Sequence, residues 1–325
     1  AYGKPRKATS LENLIKFEKY GRFLIDEKMF VYHVLPWVHE NWVSRKFIQK
    51  YGEKRRKGEP LTEKHADLAW SLQKLADATL VHLCRDLYNR TSTKNLCYAG
   101  GVALNGYSNS LIFSRTGFSN LFIQPAANDG GTGLGAALFA SHHEMGIPRI
   151  PAERDVFLGP SYQPARCEKV LKEANLPYVR PANLCRTIAE HIWKNKIVGW
   201  FNGRMELGPR ALGHRSILAN PCNPGMKDYL NKKVKHREPF RPFAPVVPVH
   251  FASKFFEMPC PRSPYMLLIV NVKPEWCERL PAITHVDGTA RVQTVEREVD
   301  PLLFELLLEF EKFSGVPVLL NTSFD

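Results

Sequence analysis

Asn95-Leu-Cys-Tyr-Ala-Gly-Gly-Val-Ala-Leu-Asn105 and Asn120-Leu-Phe-Ile-Gln-Pro-Ala-Ala-Asn-Asp-Gly-Gly-Thr-Gly-Leu-Gly135 follow one pattern. Each opens with a strand-sized apolar run, breaks at a glycine pair and continues into a helical segment, to about Ile112 in the first and about His143 in the second. Strand, glycine turn and helix, twice over, predict an α/β fold. Upstream, residues 61–90 read as a helix. Thr62 can cap it, and Leu68, Leu72, Leu75, Leu80 and Leu83 recur mostly three to four apart. Residues 1–60 are irregular, aromatic-rich and basic. Downstream, Pro148, Pro151, Pro160 and Pro164 punctuate a stretch without periodicity, the best linker candidate. Beyond it, helices near 166–174, 184–195 and 300–313 alternate with strands near 197–201, 265–271 and 316–320. Two α/β units are expected, 1–150 and 151–325.

Composition narrows the class. Of 325 residues, 44% are hydrophobic and 24% charged, an ordinary globular balance. No apolar run approaches the ~18 residues of a membrane span. No apolar segment follows the basic start Ala1-Tyr-Gly-Lys-Pro-Arg-Lys7, so a cytoplasmic protein is expected. The seven cysteines are scattered and never spaced Cys-x-x-Cys, which argues for reduced, mostly buried thiols. The formal net charge of +13 favours anionic partners. Part of it is surface: Lys54-Arg-Arg-Lys57 reads as an exposed basic loop. The chain begins with Ala and stops at Asp325 just after a strand-like run, which reads as a piece of a longer protein.

Three segments carry chemistry. Gly100-Gly101 and Gly130-Gly131 fit turns whose backbone N–H groups meet phosphate oxygens at the positive end of a helix. Asp129 beside them is placed to hold a metal; the alternative is two tight packing turns with Asp129 as a helix cap. Asn202-Gly-Arg-Met-Glu-Leu-Gly-Pro-Arg-Ala-Leu-Gly-His-Arg-Ser216 carries Arg204, Arg210 and Arg215 among glycines, and Lys235, Arg237 and Arg241 follow. Guanidinium forks bind phosphate or carboxylate, and interleaving with Gly, Pro, Phe240 and Phe243 favours an ordered anion site over a solvated face. His285-Val-Asp-Gly-Thr-Ala-Arg291 and Asn321-Thr-Ser323 crowd polar groups at strand ends, as ligand contacts or as caps. His142 and His143, being adjacent, point apart on a helix and are not paired ligands.

Six blocks in order resemble the O-carbamoyltransferase family of nodulation-factor, cephalosporin-type and aminoglycoside-type enzymes. They are Ala99–Asn105, Gln124–Gly131, Gly203–Gly213, Arg237–Pro245, His285–Thr294 and Asn321–Phe324. The resemblance implies the C-terminal part of an actin-like (ASKHA) ATPase domain over 1–150, followed by a YrdC-like α/β domain over 151–325. It implies that the second domain joins ATP and carbamoyl phosphate into carbamoyl-adenylate, and that the first passes the carbamoyl group to a substrate hydroxyl. ATP and carbamoyl phosphate together carry about six negative charges, so cations must screen them. Carried over residue by residue, Arg210, Lys235, Arg241 and Arg291 are the catalytic cations. Asn321 and Ser323 complete the nucleotide pocket, with Arg204 and Arg215 as second choices. Gly100, Gly101, Asn105 and Gly130 contact the phosphate or ribose of the adenylate, and Asp129 helps hold a divalent metal (Fe or Mg/Mn).

The acceptor would be a small hydroxyl compound: a sugar, an antibiotic or a lipid-linked saccharide. A homodimer is compatible with this reading, whereas nucleic acid and membranes are not expected partners. Two departures stand out, His214 and Asp325, where relatives tend to have Asn. The family's histidine metal ligands and acid–base pair fall upstream of this chain. The alternatives are a tRNA-modifying enzyme of threonylcarbamoyl type and a non-catalytic nucleotide or nucleic-acid binder.

Overall fold

The computed structural model describes residues 2–31, 42–149 and 156–324. The chain divides into two compact units, 1–95 with 111–120, and 96–110 with 121–325.

In the first unit, β1 (Ile15–Phe17) and β2 (Phe23–Ile25) form an antiparallel hairpin. The Ser44 side chain accepts from Phe47 N at 3.3 Å and starts the helix α1 (Arg45–Tyr51). The long helix α2 (Glu63–Thr91) takes the place expected for it, with Thr62 N donating to His65 Nδ1 at 3.0 Å. Its leucine stripe is only half correct. Leu75, Leu80, Val81 and Cys84 are buried, whereas Leu72 is 58% exposed. Leu11, Leu14, Met29, Tyr51 and Leu75 form the core. The Lys54–Lys57 run is exposed and lies outside regular elements, as expected.

The second unit begins with the two sequence patterns. Strands β3 (Asn95–Tyr98) and β4 (Asn120–Ile123) pair in a two-stranded sheet. After β3 a 3-10 turn leads into α3 (Gly106–Arg115), and after β4 another leads into α4 (Thr132–Phe139). Then come α5 (Pro164–Glu173), α6 (Leu184–Trp193), β5 (Val198–Phe201), β6 (Arg215–Ala219), α7 (Met226–Tyr229), β7 (Ala244–Pro248) and α8 (Ala252–Phe255). The remainder is β8 (Ile269–Asn271), α9 (Pro274–Cys277), β9 (Thr289–Arg291), β10 (Gln293–Val295), α10 (Pro301–Ser314) and β11 (Leu319–Ser323). The mixed α/β class therefore stands.

Five strands form the main sheet, in the order β10-β7-β11-β6-β5. β10 runs parallel to β7, and the other neighbours are antiparallel. Helices α6 and α10 bury Ala189, Ile192, Leu303, Leu306, Leu307 and Phe310, and Trp193 meets Phe310 edge-on at 6.4 Å. Asp300 caps α10 by accepting from Leu303 N, and Pro301 follows at the first helical position. The last strand begins at Leu319, three residues later than the expected 316. Val316 and Val318 are fully buried outside the ladder, and an apolar run does not by itself mark where pairing starts. Likewise only 269–271 of the expected 265–271 strand is paired, with Met266 at φ 55°.

The proline stretch has no helix or strand between 146 and 163 in its described residues, and Pro151 lies outside them. Val156 to Pro160 is not loose: Gly159 N donates to Met205 O at 2.9 Å and Met205 N to Pro160 O at 3.0 Å. The cysteines are free thiols, as expected, but only Cys84 and Cys185 are buried and Cys97 is exposed.

Gly208 joins the two motif regions. Its φ is +104°, and a Cβ there would stand 2.8 Å from the Pro125 carbonyl oxygen. Left-handed backbone and collision add, so Gly208→Ala is expected to cost about 2–4 kcal/mol, read from urea denaturation. A stability within a few tenths of the parent would show that the close approach is relaxed in solution.

Candidate functional site

The loop from Asn202 to Arg215 is organised by a carboxylate absent from the sequence expectations. Oε1 of Glu206, a buried residue, accepts from the backbone N–H groups of Leu212 (2.8 Å), His214 (3.2 Å) and Arg215 (3.1 Å). Buried amides that miss secondary structure need such an acceptor. The only sequence signal was an acidic residue inside a glycine-rich basic loop.

Two of the expected phosphate ligands serve the same loop instead. Arg204 donates to the carbonyls of Gly159 (3.0 Å) and Leu158 (2.6 Å). Arg215 donates to the carbonyls of Asn202, Gly203, His214 and Pro160, and its guanidinium lies 3.6 Å over the Phe201 ring. With their donors committed to backbone oxygens, both hold loop 202–215 against residues 157–160. His214, one of the two departures from the family pattern, is part of the same packing. It stacks on Phe157 at 3.4 Å, and its Nδ1 sits 2.6 Å from Arg204 O and its Nε2 3.4 Å from Asp300 Oδ2. Asp325 lies outside the described residues.

Three other expected residues gather at β11. Asn321 and Ser323, two apart on β11, share one sheet face. The ammonium of buried Lys235 donates to Ser323 O at 2.6 Å and approaches Ser323 Oγ at 3.4 Å. Asn321 Nδ2 donates to Ala211 O (3.1 Å) and Gln293 Oε1 (2.8 Å), and Gln293 Nε2 donates to Leu212 O (2.7 Å). Strand β7 lies between, and there the residue opposite Asn321 is the small Ala244. This network ties Ala211, next to Arg210, to Gln293, two residues from Arg291.

Arg210 and Arg291 have buried Nε atoms without hydrogen-bond partners. Neither has a carboxylate within ion-pair distance among the described residues. Burial pushes the Arg210 pKa down. At Arg291, burial and then repulsion from Arg210 and Arg237 push it down to about 9. Arg237, also named in the sequence, belongs to this centre; its Nε donates to Asn231 Oδ1 at 2.7 Å and its guanidinium stands 4.7 Å over Phe243. Like charges held together in low dielectric are costly, and an anion placed among them relieves that cost. Arg241 is not in this cluster: it is exposed and pairs with Glu238 at 2.8 Å.

The network is itself a test. Asn321→Asp would point carboxylate oxygens at two acceptors, Ala211 O and Gln293 Oε1. A loss of about 3 kcal/mol in urea denaturation at neutral pH is expected, reduced on acidification as the carboxyl protonates.

The glycine turns lie in the same unit. Gly100, at φ +107°, donates its N–H to Ala127 O at 2.8 Å, and nothing stands within 4 Å of a Cβ built on Gly100 or Gly101. Both are exposed; the Gly100 N–H is committed to Ala127 O. Asn105 Oδ1 accepts from Ser108 N at 3.3 Å at the start of α3. Asp129 and Gly130 are exposed, in the 3-10 turn before α4. The segment 125–127 thus touches Gly100 on one side and Gly208 on the other. Among the described residues, no three His, Cys, Asp or Glu side chains gather as a metal site.

The second unit is thus an α/β unit in which Arg210, Arg237 and Arg291 gather as a half-buried cationic centre. Comparison with known proteins gives the family. The Carbamoyltransferase N-terminus model matches residues 1–138 and the Carbamoyltransferase C-terminus model matches 189–325. This chain belongs to the carbamoyltransferase family. It is 42% identical to nodulation protein NolO of Bradyrhizobium diazoefficiens over 83% of this chain and 50% of that protein. It is 42% identical to nodulation protein U of Rhizobium tropici over 71% of this chain and 38% of that protein. An uncharacterised protein of Synechocystis is 36% identical across 100% of this chain and 57% of its own length. The chain spans about half the length of the curated relatives it matches.

Proposed function

We propose that this chain supplies the carbamoyl-activating part of an ATP-dependent O-carbamoyltransferase. Residues 151–325 act as a YrdC-like domain in which water first releases phosphate from carbamoyl phosphate, and an oxygen of the resulting carbamate then attacks the α-phosphorus of ATP to give carbamoyl-adenylate, with pyrophosphate leaving. Residues 1–150 belong to an actin-like domain that receives the adenylate and passes its carbamoyl group to the hydroxyl of a small acceptor. The observation that carries this reading is the pair of half-buried guanidiniums of Arg210 and Arg291, whose buried Nε atoms have no hydrogen-bond partner and whose charges repel one another. Two polyanions approach each other only where cations cancel their charge, and a buried centre does this better than a solvated one. Half-buried guanidiniums also suit a small polyanion better than a nucleic-acid backbone.

Roles follow from position. Arg210 and Arg291 clamp phosphate oxygens. Lys235, held by Ser323, adds a compact positive charge at the end of β11, and Asn321 fixes the loop that carries Arg210. Arg241 would join only by leaving Glu238, and Arg204 and Arg215 act through the loop they pin. The turn at Gly100 and Gly101, with no side chain within 4 Å of either Cβ position, leaves room for an adenylate phosphate to approach the backbone. Asp129 offers a metal one carboxylate donor, and the described residues do not complete a metal site around it, so no step is assigned to a metal.

The full-length protein is expected to release pyrophosphate from ATP only when carbamoyl phosphate is present, followed by coupled phosphate and pyrophosphate assays. ATP turnover indifferent to carbamoyl phosphate would overturn the proposal.

A further inference from the structure

His214 is buried in the loop that carries Arg210. Its Nδ1 lies 2.6 Å from the backbone oxygen of Arg204. A carbonyl oxygen has no proton to give, so Nδ1 carries the hydrogen and donates it. The other ring nitrogen, Nε2, stands 3.4 Å from Oδ2 of Asp300, which is also buried. The two oxygens of that carboxylate are used differently. Oδ1 accepts from Leu303 N at 3.0 Å and caps α10, whereas Oδ2 has no hydrogen-bond partner among the described residues.

In a neutral imidazole with its one hydrogen on Nδ1, Nε2 is a lone pair. It would face the lone pairs of a buried carboxylate oxygen. Two acceptors without a donor between them repel, and both stay unsatisfied. One additional proton turns the contact into attraction, as an imidazolium–carboxylate pair. The ring stacking favours that charged form. The imidazole lies on Phe157 at a centroid distance of 3.4 Å, 9° from parallel, and an aromatic face attracts a cation. Two glycines leave room for the pair. A Cβ on Gly203 would stand 3.1 Å from His214 Cε1, and one on Gly213 would stand 3.3 Å from Asp300 Oδ2.

The other charged groups around the ring belong to its own loop. Glu206 accepts from His214 N at 3.2 Å, Arg215 donates to His214 O at 2.8 Å, and the Arg204 guanidinium turns to the carbonyls of Leu158 and Gly159. Val156–Pro160 carries no charged side chain, and neither does Pro301–Phe304, the first turn of α10.

We propose that His214 is a positioning residue: a proton it shares with Asp300 latches loop 202–215 to the start of α10 and so sets Arg210. The effect on Arg210 rests on the proposed function; the shared proton does not. The latch opens as pH rises, because the proton leaves and repulsion replaces attraction. Proton and anion are then linked in both directions, so an anion held by Arg210 also tightens the hold on the proton.

The test uses the full-length protein and inorganic sulfate, an anion whose own charge is constant around and above neutral pH. By isothermal titration, the sulfate affinity of the parent should fall about fivefold or more as pH rises and the shared proton leaves. Asp300→Asn keeps an oxygen for Leu303 N and sets an amide N–H opposite Nε2, a donor that does not titrate. It should keep the affinity of the low-pH parent until the charge of Arg291 is lost at about pH 9, a decline both proteins share. His214→Asn removes the ring that reaches Asp300 and should bind sulfate as weakly as the high-pH parent. Nitrogen–proton correlation spectra of histidine-labelled protein, with His214 assigned by its absence from His214→Asn, should show Nδ1 protonated throughout and Nε2 losing its proton as the affinity falls. Parallel pH profiles for the parent and Asp300→Asn overturn the latch, as does an Nε2 that never carries a proton. Absence of sulfate binding with that proton in place overturns the anion site, and with it the role at Arg210, while the shared proton stands.

Discussion

Replacing Arg291 with methionine is expected to abolish carbamoyl-phosphate-dependent ATP turnover while making the protein harder to unfold. The loss of rate should be about a thousandfold or more, the scale on which a single arginine stabilises charge in phosphoryl transfer. The gain in stability follows from sign. The folded state holds the Arg291 pKa near 9, well below the ordinary arginine value, because burial and two neighbouring arginines disfavour its charge. Between those values the unfolded chain binds more protons than the folded one, so stability rises with pH there. Below about 9 the penalty is present in full, which includes neutral pH. An apolar side chain of similar length removes it, and a gain of about 1–2 kcal/mol is expected, the usual range when a strained functional residue is relieved. Urea denaturation at neutral pH, read beside the turnover assay, checks both halves. A variant that is inactive and also less stable would mean that Arg291 holds the fold together.

Glu206→Ala should do the opposite to stability and the same to activity. It removes the acceptor of three backbone N–H groups at 2.8, 3.2 and 3.1 Å and leaves them buried. A loss of about 3–5 kcal/mol is expected, as when one partner of a buried charged network is deleted. Turnover should fall by about a hundredfold even where the protein remains folded, because the loop that sets Arg210 loses its register. Glu206→Gln keeps one oxygen as an acceptor but not the charge, and should fall between. Equal stability of the alanine variant and the parent, measured by denaturation, would show that other groups or water satisfy these amides.

The elements were legible where the apolar period and the punctuation agreed. The helix after Thr62, the two strand–glycine–helix passages and the helix after Asp300 all lie where the sequence put them. Burial without pairing was not legible, as at Val316 and Val318, because an apolar side chain is equally at home inside a loop that the core covers. At the site, Arg210 and Lys235 stood out as cations interleaved with Gly, Pro and Phe, whereas Arg291, Asn321 and Ser323 were read from the letters alone as ligand contacts or caps and took their proposed roles from the family resemblance. Arg204 and Arg215 look identical to Arg210 in the string of letters. They differ in where their donors go, and that depends on carbonyls at 157–160 and 202–203 whose approach no local pattern encodes. Glu206 was missed for the same reason: its partners are backbone amides, which every sequence contains everywhere.

The cluster of like charges around Arg291 has a consequence for the life of the protein in a cell. A ligand that cancels the repulsion adds to the folded population by mass action, about 2.7 kcal/mol at a hundred times its dissociation constant. Housekeeping proteases act on the unfolded fraction, so degradation of the chain would quicken when such a ligand is scarce and slow when it is plentiful. Abundance would then follow supply without any dedicated regulator.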